Sequence, residues 1–130
     1  MIVVDASALA DVLLRLPTAG RAEARILDGV ETLHAPHLID LEILQVLRRF
    51  GARGGWHDER SAEALIDFES LRLARHSHEP LRGRIWELRS NVTAYDAAYL
   101  ALAEALECPL VTRDRRLAKA PGHRATVEVL

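Results

Sequence analysis

Apolar residues in this chain come as short runs set between longer amphipathic stretches. Ile2-Val3-Val4 is a β-branched run suited to a strand buried on both faces. Similar short runs predict strands over 31–35, 109–112 and 126–129, with a weaker one over 72–75. Between them the pattern shifts to helical spacing. Ser7 can cap a helix over about 8–15, which Pro17 and Gly20 close, and a second helix over 21–28 ends at Gly29. Pro36 suits the start of a third helix over 37–50, stopped by Gly51-Ala52-Arg53-Gly54-Gly55. Asp58 or Ser61 opens a fourth helix to Leu71, and a fifth covers 79–90. Thr93 opens a strongly apolar helix to Leu106, and 114–119 forms a last helical turn or two.

Short apolar strands alternating with helices predict an α/β fold with a mainly parallel sheet in a single domain, residues 1–130. Ligands of such sheets bind outside the carboxyl ends of the strands. Asp5 ends the first strand and Asp114 follows the 109–112 strand, so both acids fall on that edge.

Composition narrows the function classes. With 49% hydrophobic residues the chain can build a core, and no apolar run approaches the ~20 residues of a membrane span. The first five residues lack the basic start of a signal peptide, and the expectation is a cytoplasmic protein with no membrane association. The one cysteine, Cys108, permits no intrachain disulfide and no cysteine-based metal cage. Of 17 basic residues 16 are Arg, whose planar fork suits phosphate, although a GC-rich genome produces the same excess. The net charge of −2 argues against simple, strongly basic nucleic-acid binding.

Two acids interrupt apolar helix faces. Asp96 is the only charged side chain between Arg89 and Glu104, and Glu42 shares a helix side with Ile39, Ile43 and Val46. An unpartnered buried carboxylate costs several kcal/mol or takes up a proton. Each acid also has a structural explanation. Asp96 fits a capping box with Thr93, Glu42 fits a boundary position, Asp40 fits the helix dipole, and Asp5 and Asp114 fit helix caps. If the sheet and helices bring Asp5, Glu42, Asp96 and Asp114 together, their mutual repulsion calls for a cation. Hard oxygen ligands favour Mg²⁺ or Mn²⁺, and the chemistry then implied is phosphoryl or phosphodiester transfer.

These residues carry a resemblance. Ile2-Val3-Val4-Asp5-Ala6-Ser7, Ala35-Pro36-His37-Leu38, Leu41-Glu42-Ile43 and Leu47-Arg48-Arg49 come first. Thr93-Ala94-Tyr95-Asp96-Ala97-Ala98-Tyr99 with Leu102-Ala103-Glu104, and Leu110-Val111-Thr112-Arg113-Asp114-Arg115-Arg116-Leu117, complete the order. The pattern resembles PIN-domain ribonucleases, and most closely the VapC toxins of type II toxin–antitoxin systems. The resemblance implies a three-layer α/β/α PIN-like domain with a five-stranded, mainly parallel sheet. It also implies an endoribonuclease that hydrolyses RNA phosphodiester bonds by metal-activated water, leaving a 5′-phosphate and a 3′-hydroxyl. Asp5 and Asp96 would be the main Mg²⁺ ligands, with Mn²⁺ able to substitute, and Glu42 and Asp114 would support metal or water. A cognate antitoxin, seated in a groove of the first two helices near Leu9, Val12, Leu13, Leu14 and Leu16, and a homodimer are further expectations of the resemblance.

Lesser signals surround these acids. Ser7 and Thr112 are candidates to contact the metal's waters or the phosphate, beside plain capping roles. Arg113, Arg115 and Arg116 are candidates to hold RNA backbone, and Arg48 and Arg49 are helix-surface or antitoxin residues. His34 and His37 have zinc-like spacing but no third ligand nearby. Trp56 and Trp86 read as packing residues, since 5% aromatics is a poor base-stacking inventory. Two other classes compete with the nuclease. A phosphoacceptor receiver domain needs paired acids at the first strand and a Lys after a late strand, where this chain has Ala6-Ser7 and an ill-placed Lys119. A catalytically inactive RNA- or protein-binding module on the same fold is opposed by the complete set of acids. Setting those four acids aside leaves 15 against 17 basic residues, so the remainder of the chain is formally +2 and suits an RNA substrate.

Overall fold

The Ile2-Val3-Val4 run becomes the central strand of a sheet because both of its edges are paired and all three side chains are fully buried. A computed structural model describes all 130 residues. Its strands are β1 (Ile2–Val4), β2 (Leu33–Pro36), β3 (Leu73–His76), β4 (Leu110–Thr112) and β5 (Val127–Val129). Every pairing is parallel, in the order β3-β2-β1-β4-β5.

The helices are α1 (Ala6–Leu13), α2 (Gly20–Ile26), α3 (Ile39–Gly51), α4 (Trp56–Ser70), α5 (Arg82–Glu87), α6 (Ala94–Leu106) and α7 (Arg115–Lys119). The chain steps outward from β1 to β2 to β3, then returns past β1 to β4 and β5. Right-handed crossovers therefore set α1–α4 on one face and α5–α7 on the other, giving three layers. The packing agrees: α1 lies against α2, α3 and α4, while α6 lies on α5, β1, β2 and β4. The unbroken run Ala97–Ala103 in α6 is buried, as expected of a helix held between a sheet and a second helix. None of the helices is long and apolar enough to cross a membrane.

The direction of travel reverses between β1 and β4. Their carboxyl ends form the switch point where loops diverge to opposite faces and leave a crevice. Asp5 and Thr112 sit at that crevice, and the Asp5 N–H donates to the Val111 carbonyl at 3.2 Å.

Most element boundaries shift by one or two residues from the expectation, and three of the differences have a clear cause. Asp5, not Ser7, caps α1, because its Oδ1 accepts the Ala8 N–H at 2.9 Å and the helix starts at Ala6. The third helix begins at Ile39 rather than at residue 37. Pro36 stays in the sheet opposite His76, the His37 N–H donates to the His76 carbonyl, and His78 Nε2 accepts the Leu38 N–H. The helix expected over 79–90 is a 3₁₀ turn, Glu79–Leu81, followed by α5, which stops at Glu87. There the buried Leu88 directs its carbonyl at the Asn91 and Val92 N–H groups and turns the chain toward α6. α3 ends at Gly51, within the expected glycine-rich stop, and Gly54 and Gly55 reset the chain for α4 with φ of +75° and +55°, a region open to glycine.

Candidate active site

Four acids from four separate stretches reach one small cavity. Its volume is about 150 Å³, and Asp5, Glu42, Asp96 and Asp114 line it together with Ala6, Ser7, Tyr99 and Leu117. Asp5 arrives from the end of β1, Asp114 from the cap of α7, Glu42 from the first turn of α3, and Asp96 from the first turn of α6.

Local capping positions three of these acids. Asp5 is N-cap of α1 and Asp114 is N-cap of α7, where Oδ1 accepts the Arg116 N–H at 2.8 Å. Thr93 caps α6 and accepts the Asp96 N–H at 3.2 Å, so Asp96 is oriented through its backbone. Capping and site chemistry thus coexist in the same residues.

Ser7 and Thr112 tie the ends of β1 and β4 into one hydrogen-bonded web. Thr112 Oγ1 donates to Asp5 Oδ2 at 2.5 Å and accepts the Asp114 N–H at 2.9 Å. Ser7 Oγ donates to Asp5 Oδ1 at 2.7 Å and accepts the Arg113 N–H at 3.0 Å. Both hydroxyls hold the acids in place, and Thr112 is completely buried while it does so.

The arginines around Asp114 separate into different roles. Arg116 forks onto Asp114, with Nη2 at 2.8 Å from Oδ2. Arg113 pairs with Asp11 and donates to Thr18 Oγ1 at 3.0 Å, which ties the β4–α7 loop to α1. Arg115 is exposed, as are Arg48 and Arg49 on α3. His34 is engaged by Thr32 and by His76, whose Nε2 lies 2.8 Å from its Nδ1, and His37 meets His78 edge-on.

Electrostatics divide the four acids. Burial pushes the Asp5 carboxyl up despite the hydrogen bonds it accepts from Thr112, Ala8 and Ser7. Burial also raises Glu42, where a Tyr99 hydrogen bond pulls downward and the charges of Asp5 and Asp96 push upward again. Asp96 is raised by burial and by the Asp114 charge, against the Thr93 hydrogen bond. Asp114 alone is held low, chiefly by the Arg116 guanidinium. All three are raised first by burial, and Glu42 and Asp96 also by neighbouring carboxylates, so a cation in the cavity would favour their ionised forms.

Tyr99 belongs to the site and was not singled out for it from the sequence. Its hydroxyl donates to Glu42 Oε2 at 2.5 Å, and its ring is 98% hidden in the core. The one sequence signal was its position three residues after Asp96, on the same helix face. Tyr99→Phe removes the donor that holds Glu42 down, so the Glu42 carboxyl should titrate at higher pH. Carboxyl-carbon NMR in a chelator checks this, and an unmoved Glu42 resonance would count against the coupling. The cost to stability is about 1 kcal/mol.

No three His, Cys, Asp or Glu side chains stand close enough to form a ready-made metal cage. The donor set still fits a hard divalent cation. All four acids offer carboxylate oxygens to one cavity, and Mg²⁺ keeps several of its waters and takes only one or two carboxylates directly.

A family model described as PIN domain matches residues 2–123. The chain belongs to the PIN domain family. Within it, this PIN domain is 42% identical over 130 residues to Ribonuclease VapC12 of Mycobacterium tuberculosis, covering 100% of this chain and 99% of that protein. Its fold is shared with crystallised VapC20 of Mycobacterium tuberculosis, titled a sarcin-ricin loop cleaving toxin. That match has a TM-score of 0.71 at 14% identity, over 92% of this chain and 94% of the other. VapBC2 from Rickettsia felis, crystallised bound to a DNA fragment from its promoter, matches with a TM-score of 0.60 at 14% identity. That likeness covers 99% of this PIN domain and 98% of the matched chain. The expected family and the α/β PIN-like fold are both borne out.

Proposed function

We propose that this PIN domain is a Mg²⁺-dependent endoribonuclease, with Mn²⁺ able to substitute, and the toxin of a toxin–antitoxin pair. The observation that carries this reading is the convergence of Asp5, Glu42, Asp96 and Asp114 on one cavity at the sheet's switch point. It occurs in a chain that aligns over its whole length with a protein named as a ribonuclease. Residues 1–130 act as a single domain in this reading.

Asp5 and Asp96 would hold the metal, with Glu42 and Asp114 supporting it or its waters. Bound there, Mg²⁺ would supply Lewis-acid charge to the phosphate and make water a stronger acid. The chain's own groups have distinct tasks. Thr112 and Ser7 fix both Asp5 oxygens, so that this carboxylate keeps one orientation. Tyr99 occupies Glu42 Oε2 and leaves Oε1 to accept a proton from the attacking water, a task suited to a carboxyl raised above its ordinary range. Arg116 neutralises Asp114 and lines the entrance beside it.

An antitoxin is the protein partner in this proposal. A groove of about 520 Å³ between α1, α2 and α4 is lined by Leu9, Val12, Leu13, Leu16, Leu27 and Leu71, and an amphipathic peptide fits such a surface. Leu41 and Leu44, exposed on α3, offer apolar area for a homodimer, and the working location is the cytoplasm.

Total RNA incubated with purified chain, freed of any co-purified antitoxin, tests the proposal. Cleavage in Mg²⁺ that stops in EDTA and leaves 5′-phosphate ends is the expected result. Intact RNA under every metal condition would overturn the nuclease and leave the inactive binding module.

A further inference from the structure

A larger cavity of about 710 Å³ adjoins the acidic one, and Asp96, Asp114 and Leu117 line both. Its wall also carries three cations, Arg89, Arg116 and Lys119. Arg116 is spent on Asp114, but neither Arg89 nor Lys119 pairs with a carboxylate. The cavity thus runs from acids to free positive charge.

Trp86 does not line this cavity but contacts Arg89, which does. The Arg89 guanidinium carbon sits 4.6 Å from the Trp86 ring centroid, a cation–π contact, and Arg89 Nη1 donates to the Trp86 carbonyl. Trp86 is nevertheless 67% exposed, which corrects its assignment as a packing residue. Leu81 and Leu88 fill the core on this segment instead, so the indole ring is left to solvent with Arg89 against it. Trp56 corrects the same assignment at 59% exposure, but it rests on Phe50 and His57 and does not line this cavity.

We infer that Trp86, Arg89 and Lys119 form a binding track for single-stranded RNA beside the cleaved bond. An indole stacks on an unpaired base, Arg89 braces it, and Arg89 and Lys119, which no carboxylate engages, take backbone phosphates. A strand has the matching charge pattern: the scissile phosphate would be received at the acids only through a cation they hold, and the next phosphates meet fixed cations. The inference rests on the nuclease reading and adds residues that the acidic site does not contain.

The test separates binding from cleavage. In EDTA, a W56F chain keeps Trp86 as its only tryptophan, and a short single-stranded RNA of mixed sequence is titrated against its fluorescence. Quenching of Trp86 is expected, with affinity weakened roughly tenfold by W86A or R89A in fluorescence-anisotropy titrations of labelled RNA. K119A should weaken binding equally for all sequences and reduce its salt slope by about 0.7. In Mg²⁺, R89A should raise KM and leave kcat near that of the parent chain. Binding by W86A as tight as by the parent, or equal quenching by poly-glutamate, which is anionic but lacks bases, would overturn the track. Because the binding arm needs no cleavage, failure of the nuclease reading appears separately, as RNA that binds and is never cut.

Discussion

Asp96→Asn is expected to leave the domain folded and to lower RNA cleavage on the order of 10³-fold, and Asp5→Asn to do the same. The fold survives because the N-cap bond from the Asp96 N–H to Thr93 does not depend on the carboxylate's charge and is kept by the amide. At Asp5 the amide retains an acceptor for the Ala8 N–H and can donate to Thr112 in place of accepting from it. On the proposed metal-dependent reading, activity falls because the variant would no longer hold the cation that supplies charge stabilisation at the phosphate.

The same variants carry a stability signature of the opposite sign. Burial raises the folded-state pKa of both carboxyls, so their protonated forms favour the fold and ionisation works against it. That stabilising contribution is complete below the unfolded pKa and is lost as pH rises through the raised folded value. At neutral pH in EDTA, Asp96→Asn should therefore melt at or above the wild-type temperature. The difference should close in acid, where the wild type is protonated as well. Mg²⁺ should raise the wild-type Tm by mass action and leave a doubly substituted Asp5→Asn, Asp96→Asn chain unmoved. Wild-type cleavage rates in either single variant would sink the site, as would an undiminished Mg²⁺ shift in the double.

Arg84→Ala carries the largest loss of stability, about 3 kcal/mol at neutral pH, or roughly 10 °C in Tm. Arg84 grips Glu104 through Nε at 2.7 Å and Nη2 at 3.0 Å, and it also donates to the Gly122 carbonyl at 2.8 Å. Glu104 is only 8% exposed and accepts the Arg124 N–H, so this cluster fastens the C-terminal segment onto α6. Without Arg84 a buried carboxylate loses its principal partner. Arg84 is also the main reason that Glu104 is held below the usual range. The pair's contribution is present above the unfolded pKa and disappears as pH falls through the folded one, so the gap to wild type should narrow in acid. Replacing both partners by Leu should recover most of the loss, because no charge is then left buried. Thermal melts at neutral and acid pH read all of this, and a gap that widens in acid would contradict the pairing.

Legibility in the sequence followed the range of the forces involved. The Ile2-Val3-Val4 strand, the buried α6 and the Gly54-Gly55 break were readable because burial periodicity and backbone freedom act within a few residues. Boundaries failed where a distant partner intervened. His76 and His78 delay the start of α3, and these residues lie some 40 positions along the chain from Pro36 and Leu38. Arg113 looked like its neighbours around Asp114 until α1 presented Asp11 to it. Trp86 looked like core until the chain turned at Leu88 and left the indole outside.

By itself the sequence determined the α/β class, the strand ends that carry Asp5 and Asp114, the two acids that interrupt apolar helix faces, and membership of the PIN domain family. Only the tertiary structure decided that the four acids line one cavity, that Tyr99 serves Glu42, and that Arg116 rather than Arg113 serves Asp114. The physical reason is separation along the chain. Helix caps and buried strands are set by neighbouring residues, whereas a carboxylate's pKa and partners are set by whatever the parallel crossovers bring beside it.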